Sequence, residues 1–162
     1  MIEIEKTFLV KKIPGDLNLY KVNKIKQGYV SESPSPLRIR QKNEKFEITK
    51  KLPLKDGDYS SVEEINIPLT KIEFNKLWPL AERFLEKDRY NIPIGNNLMA
   101  ELDIYKGKLE GLAVVEVEFT SEEQMNLFQP VEWFGRDVTQ EEFSSNSFLA
   151  GKKFEEIEEY LK

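Results

Sequence analysis

Apolar and charged residues alternate along seven separate segments of the chain. Ile2 and Ile4 alternate with Glu3 and Glu5, and Arg38 and Arg40 flank Ile39. Thr49 and Lys51 alternate with Ile48, and Glu64 stands ahead of Ile65 and Ile67. Lys87 and Arg89 bracket Asp88, Glu101 and Asp103 alternate with Leu102 and Ile104, and Glu116 and Glu118 alternate with Val115 and Val117. A period of two is that of an extended strand with two unlike faces. A half-exposed sheet would scatter mixed charges over its wet side. Here the charges two residues apart share a sign, and both signs recur along the chain. The pattern predicts a barrel with an apolar outer wall and a charged lumen.

Between these segments the punctuation is readable. A strand is expected over 2–11, a turn around Pro14, Gly15 and Asp16, and a second strand over Lys24–Val30. Ser31–Pro36 reads as a loop, and Leu37–Lys42 and Lys45–Leu52 as a hairpin joined at Asn43-Glu44. A polar loop over Pro53–Tyr59 leads to a strand over 61–67. Thr70 and Glu73 fit a capping box that opens a helix, with Ile72, Leu77, Leu80 and Phe84 as its apolar stripe and Pro79 as an interruption. Strands follow over Leu85–Asn91, Met99–Tyr105 and Ala113–Phe119. Ser121 and Gln124 cap a helix over Glu122–Phe128, and a loop carries Trp133, Phe134 and Gly135. The end, Ser147–Leu161, reads as a helix with Phe148, Phe154, Ile157 and Leu161 facing inward. Strands, then a helix, then strands and helices argue for an α+β fold with a mostly antiparallel sheet, and helices on the outside explain the apolar outer face. The expected packing role of Trp78, Trp133 and Phe134 fits this arrangement.

Enclosed charge must be neutralised, because an unpaired buried ion is very costly. Two like charges about 4 Å apart repel by roughly 4 kcal/mol at an effective dielectric near 20. Glu3, Glu5, Glu116 and Glu118 facing one lumen would therefore take a hard cation, Mg²⁺ or Mn²⁺. Arg38, Arg40, Lys51, Lys87 and Arg89 facing the same lumen would take a polyanion, since forks and ammonium charges both suit phosphate oxygens. A metal with a cationic cradle is the equipment of phosphoryl transfer. With 162 residues, a single domain spanning 1–162 is expected. The chain has no cysteine and no histidine, which excludes thiolate and imidazole chemistry and leaves oxygen as the metal ligand. A net charge of −5 argues against a general nucleic-acid binder. No apolar run approaches the ~20 residues of a membrane span, and no apolar leader opens the sequence, so a cytoplasmic protein without a membrane partner is expected. Surface aromatics leave room for a homodimer whose interface the sequence does not locate.

The segments EIEKTFLV, RIRQ, TKK, EKDRY, ELDIY, VEVEF and WFGRDVT, in this order from Glu3 to about Ala150, resemble the CYTH superfamily of triphosphate tunnel metalloenzymes, in particular its small bacterial members. The resemblance implies an eight-stranded antiparallel tunnel that binds a triphosphate group with a divalent metal. By position it implies Glu3, Glu5, Glu116 and Glu118 as metal ligands and Asp103 and Glu64 as further acidic positions near metal or attacking water. It implies Arg38, Arg40, Lys51, Lys87 and Arg89 as phosphate-binding cations. Lys87 and Arg89 would grip the terminal phosphoryl group, and Glu64 would orient water. Hydrolysis of inorganic triphosphate leads. Cleavage of nucleoside or thiamine triphosphate, cyclisation of ATP, and polyphosphate or nucleotide binding without catalysis are the alternatives. The chain departs from the usual E-x-E-x-K of the first strand at Thr7. Lys6 is adjacent, but the strand period sends it to the other face. Ser60 and Val62 replace charged positions of the fifth strand, and Ser144 replaces a tyrosine ahead of Asn146.

Overall fold

A computed structural model describes residues 1–32 and 35–162. Nine strands run through it: β1 Ile2–Val10, β2 Lys21–Val30, β3 Leu37–Lys42, β4 Lys45–Pro53, β5 Ser61–Leu69, β6 Arg83–Gly95, β7 Leu98–Tyr105, β8 Ala113–Phe119 and β9 Phe134–Asp137. All neighbours pair antiparallel in the order β5-β4-β3-β2-β6-β7-β8-β1-β9, and β1 also joins β5. The first eight strands thus close into a barrel. Closure forces the strands to tilt and stagger, so no single strand spans the register of its neighbour evenly. β1 shows this directly: one edge pairs with β8, while the other gives Ile2–Ile4 to β5 and Phe8 and Val10 to β9. β9 falls where a loop is expected around Trp133–Gly135. Its length of four residues is too short for a strand pattern to register, and the unused edge of β1 decides its conformation. The expected Ser31–Pro36 loop falls partly on the two undescribed residues.

Three apolar clusters explain the alternation. Ile39, Phe74 and Ala81 pack outside β3 beneath helix α1, Lys71–Leu77. The capping box forms as expected: Glu73 N–H donates to Thr70 Oγ1 at 3.2 Å, and Thr70 N–H donates to Glu73 Oε2 at 2.7 Å. The expected apolar stripe does not form. Ile72 and Leu80 are 70% and 59% exposed, Phe84 belongs to β6, and Phe74, only 2% exposed, is the anchor. Pro79 sits in a 3-10 turn over Trp78–Leu80, so the helix stops one turn before such a stripe can develop. Phe74 instead packs between Phe46 and Trp78, ring centroids 4.8 and 5.2 Å away. On the opposite wall, Phe8, Leu102, Val115, Val117 and Phe134 lie under α2, Glu122–Leu127, and Phe128.

The third cluster closes one end of the barrel. Leu85, Tyr105 and Val114, which share the inward phase of their strands with the charged residues, pack with Leu109, Leu112, Leu149 and Ile157. The segment that supplies the last two is not the continuous helix expected over Ser147–Leu161. It breaks into α3, Asn146–Leu149, α4, Phe154–Ile157, and a 3-10 turn over Glu158–Leu161. Gly151 has φ +83, a conformation few other residues adopt, and its N–H donates to Phe84 O at 2.9 Å. This turn ties the C-terminal segment to the start of β6. Among the described residues, no helix is long and apolar enough to cross a membrane.

Candidate active site

The polar part of the lumen is a cavity of about 430 Å³. Glu3, Glu5, Arg38, Arg40, Lys51, Glu64, Lys87, Arg89, Glu116 and Glu118 all line it. Only Asp103, among the residues expected there, lies behind the surface, fully buried. Strand parity puts them on one side, and barrel closure brings the two signs face to face.

Register decides how the charges pair. Arg89 and Asp103 are directly opposed on β6 and β7, and the guanidinium grips the carboxylate with Nε and a terminal nitrogen, both at 2.7 Å. Lys87 Nζ reaches the same carboxylate at 2.5 Å. Glu101 and Glu116 also oppose one another across β7 and β8, and Arg89 bridges both. Burial raises the Asp103 carboxyl, but Arg89 and Lys87 outweigh it and hold the group below its ordinary value. Burial pushes Lys87 down, and Asp103 does not make up the loss because Arg89 repels the ammonium. Burial works against Arg89 too, but Asp103 and Glu116 raise it well above its usual range. Asn146 Oδ1 accepts from Tyr105 Oη at 2.6 Å and from Lys87 Nζ at 3.3 Å, which ties the C-terminal segment to this network. Asp103 and Glu116, both expected near a metal, thus have their oxygens engaged by cations.

A second opposed carboxylate pair has no such bridge. Glu5 faces Glu118 across β1 and β8, and among the described residues neither makes a salt bridge. With Glu3 they place carboxylate oxygens within 4.8 Å of one another. Desolvation, partly opposed by Lys51 and reinforced by Glu116 and Glu3, lifts Glu5 to about 8. Desolvation, Glu101 and Glu3 lift Glu118 to about 7. Lys51 Nζ sits at one side, 2.5 Å from Glu3 Oε2 and 3.3 Å from Glu64 Oε2. Lys50 points away and donates to Ser35 O, so the register selects Lys51 for the lumen. The donor set fits a hard divalent cation. Ligand oxygens of an octahedral Mg²⁺ at about 2.0–2.1 Å lie within about 4.2 Å of each other, so a slight inward movement of the three glutamates suffices.

Arg38 and Arg40 converge on a residue the sequence reading missed, Glu47. Arg40 opposes it in the β3–β4 register and bonds it, and Arg38 comes within 3.7 Å. Glu47 lies two residues before Thr49 on the same strand, so parity alone could have placed it inside. Arg38 also donates to Thr49 Oγ1 at 3.0 Å. The Nε atoms of both arginines are buried without a hydrogen-bond partner, which leaves donors for an incoming anion. Burial raises Glu64, but Lys51, Asn66 and Arg38 lower it further, to about 2. Asn66, also missed, donates to Glu64 Oε1 at 2.6 Å. Thr7 occupies the lumen side of β1 and is buried, its N–H donating to Thr139 Oγ1 at 3.1 Å. Lys6 points outward to Asp137, 3.4 Å away, as the strand period requires.

The chain is 39% identical over 153 residues to an inorganic triphosphatase of Nitrosomonas europaea, covering 93% of this chain and 97% of that protein. It is 29% identical over 160 residues to an inorganic triphosphatase of Acetivibrio thermocellus, covering 97% and 98%. The crystal structure of the inorganic triphosphatase NE1496 superposes with a TM-score of 0.66 at 34% identity, over 91% of this chain and 93% of that one. A Pyrococcus horikoshii protein, PH1012, shares the fold alone, with a TM-score of 0.59 at 19% identity over 77% and 84%. No family model matches the chain.

Proposed function

Since the chain belongs to the CYTH family of triphosphate tunnel proteins, we propose that it hydrolyses inorganic triphosphate to diphosphate and phosphate and needs Mg²⁺ or Mn²⁺ to do so. One observation carries the reading: Glu5 and Glu118 stand opposed without a cation, in the cavity where Arg38 and Arg40 leave buried donors free. Carboxylates and arginines that are each incompletely satisfied suit a ligand that brings both a divalent ion and an anionic chain.

Glu3, Glu5 and Glu118 would hold the metal. When bound, it would neutralise charge on the phosphoryl oxygens and fix their orientation. Arg38 and Arg40 would exchange Glu47 for phosphate oxygens, gaining charge-assisted contacts for their free Nε–H groups. Lys51 and Lys87 would add point charges from opposite walls. Arg89, committed to three carboxylates, would act mainly by keeping Lys87 and Glu116 in place. Glu64 would orient the attacking water by accepting its hydrogen bond. At a pKa of about 2 it is too weak a base to keep the proton at neutral pH, so the proton would pass on to phosphate or solvent.

Phosphate release from inorganic triphosphate, with Mg²⁺, with Mn²⁺ and with chelator, tests the proposal. Turnover with either ion and none with chelator supports it. A folded protein that releases no phosphate with either ion sinks it. Binding of triphosphate without turnover would then favour a binding module, in keeping with Thr7 and Val62 on the lumen wall.

A further inference from the structure

The carboxylates that hold the lumen arginines differ in what their release would cost. Asp103, on Arg89, is fully buried, and Glu101 and Glu116, also on Arg89, have 18% and 12% of their side chains exposed. Glu47, on Arg40 and near Arg38, has 28% exposed. A carboxylate released in the dry part of the lumen becomes an uncompensated buried charge, which is strongly destabilising. One released at a wetter position regains water instead. Glu47 opposes Arg40 across β3 and β4 and Pro68 across β4 and β5, so its salt bridges among the described residues run to Arg38 and Arg40 alone. The two arginines stand two residues apart on one strand face, and each needs a counter-ion while no anion is bound. Burial and Arg38 hold Arg40 below its ordinary value, and Glu47 works the other way. Both arginines line the cavity and Glu47 does not, so the nitrogens it engages are turned from the space a ligand would fill. An anion that takes those nitrogens must first break the contact with Glu47.

We propose that Glu47 is an exchangeable counter-ion: it holds the two arginines between turnovers, gives way to an incoming phosphate chain and returns to them as diphosphate and phosphate leave. The inference rests on the reading of Arg38 and Arg40 as phosphate ligands, and what it adds is an acidic side chain that opposes binding. Glu47 touches no substrate and acts only through the arginines, as a positioning residue. Every anion that uses the arginines meets the same cost. A triphosphate offsets it through its further contacts with Lys51, Lys87 and a metal, whereas orthophosphate has too few oxygens to do so. The lumen thereby sheds its products and stays clear of common small anions.

The test is calorimetric binding of inorganic diphosphate with Mg²⁺ present, beside steady-state kinetics on inorganic triphosphate, for the wild type, Glu47→Gln, Glu47→Asp, Arg40→Ala and the double variant Arg40→Ala, Glu47→Gln. Glu47→Gln should bind diphosphate about tenfold more tightly, the size of one hydrogen bond between charged groups, and should lower the KM for triphosphate by a similar factor. A merely structural role would weaken both. Glu47→Asp keeps the charge but draws it back by one methylene, and should show a smaller gain in the same direction; it carries the test if Glu47→Gln does not fold. In the Arg40→Ala background the Glu47→Gln change should yield a gain of less than about threefold, because the two residues share one interaction. Unchanged or weaker diphosphate binding in the Glu47 variants overturns the counter-ion while leaving triphosphate hydrolysis standing. A full tenfold gain without Arg40 overturns it too, since the carboxylate would then act through its general field rather than by exchange. If the wild type neither binds nor cleaves triphosphate, the underlying functional reading fails, and the role of Glu47 with it.

Discussion

Arg89→Met is the most informative single change to the lumen. The methionine keeps most of the apolar stem and removes only the guanidinium, so the perturbation is electrostatic rather than a void. In the wild type that guanidinium contacts Asp103 through two nitrogens and reaches Glu101 and Glu116. Asp103 is fully buried, and the two glutamates oppose one another. Removing the partner of a buried carboxylate typically costs about 3–5 kcal/mol. Lys87 remains on Asp103, which sets the expectation at the lower end, about 3 kcal/mol. A chain of this size shifts its Tm by roughly 2–4 °C per kcal/mol, so a fall of about 6–12 °C is expected.

The pH dependence separates a charge effect from a packing effect. Without Arg89, the folded-state pKa of Asp103 rises, because burial then works against the single remaining cation, Lys87. A raised carboxyl stabilises the fold at low pH and loses that contribution as the pH climbs through its folded pKa. The gap between wild type and variant should therefore narrow between pH 7 and pH 5. Urea denaturation at both values is the assay. The double variant Arg89→Met, Asp103→Leu should recover part of the loss, because it removes the stranded charge. A cost under about 1 kcal/mol, or a gap that is the same at both pH values, refutes the reasoning.

Other expectations follow from the same geometry. Arg40→Ala should lower kcat/KM for triphosphate by about 10²–10³, as for loss of one preorganised donor, while stability by urea denaturation changes by no more than about 1 kcal/mol. In metal-free protein, Glu5 at about 8 and Glu118 at about 7 lie above their ordinary value of 4.5. Their contribution to stability is complete below pH 4.5 and is lost as the pH rises through 7 and 8. On the proposed metal reading Mg²⁺ would relieve that repulsion, so its calorimetric Tm increment should be larger at pH 8.5 than at pH 6; an equal increment would place the ion elsewhere. Phe74→Ala should cost about 3–5 kcal/mol by urea denaturation and leave turnover per folded molecule unchanged, since Phe74 packs outside the barrel.

Much of the wall was readable in one dimension. Alternation at Glu3 and Glu5, at Arg38 and Arg40, and at Glu116 and Glu118 reports a face directly, because successive side chains of a strand must point to opposite sides. Six of the nine strands lie within a residue or two of their expected bounds, and the eight-stranded barrel matches the expectation drawn from the family resemblance. Short or tertiary-determined features were not readable. β9 has four residues and takes its conformation from a vacant edge. The α1 anchor is Phe74 because Pro79 ends the helix early. The C-terminal helix breaks at Gly151 because Phe84 offers an acceptor there.

For the site, the sequence determined which side chains could face the lumen, since backbone sterics set the period of two at every strand. It did not determine which of them would meet. Only barrel closure, with its stagger, set Arg89 across from Asp103 and between Glu101 and Glu116, and set Glu5 across from Glu118 with no salt bridge to either among the described residues. Coulomb energy depends on separation in space, and separation in space is fixed by register. That is why the sequence supplied an inventory of charges, while the folded barrel decided which of them are spent on one another and which remain for a ligand.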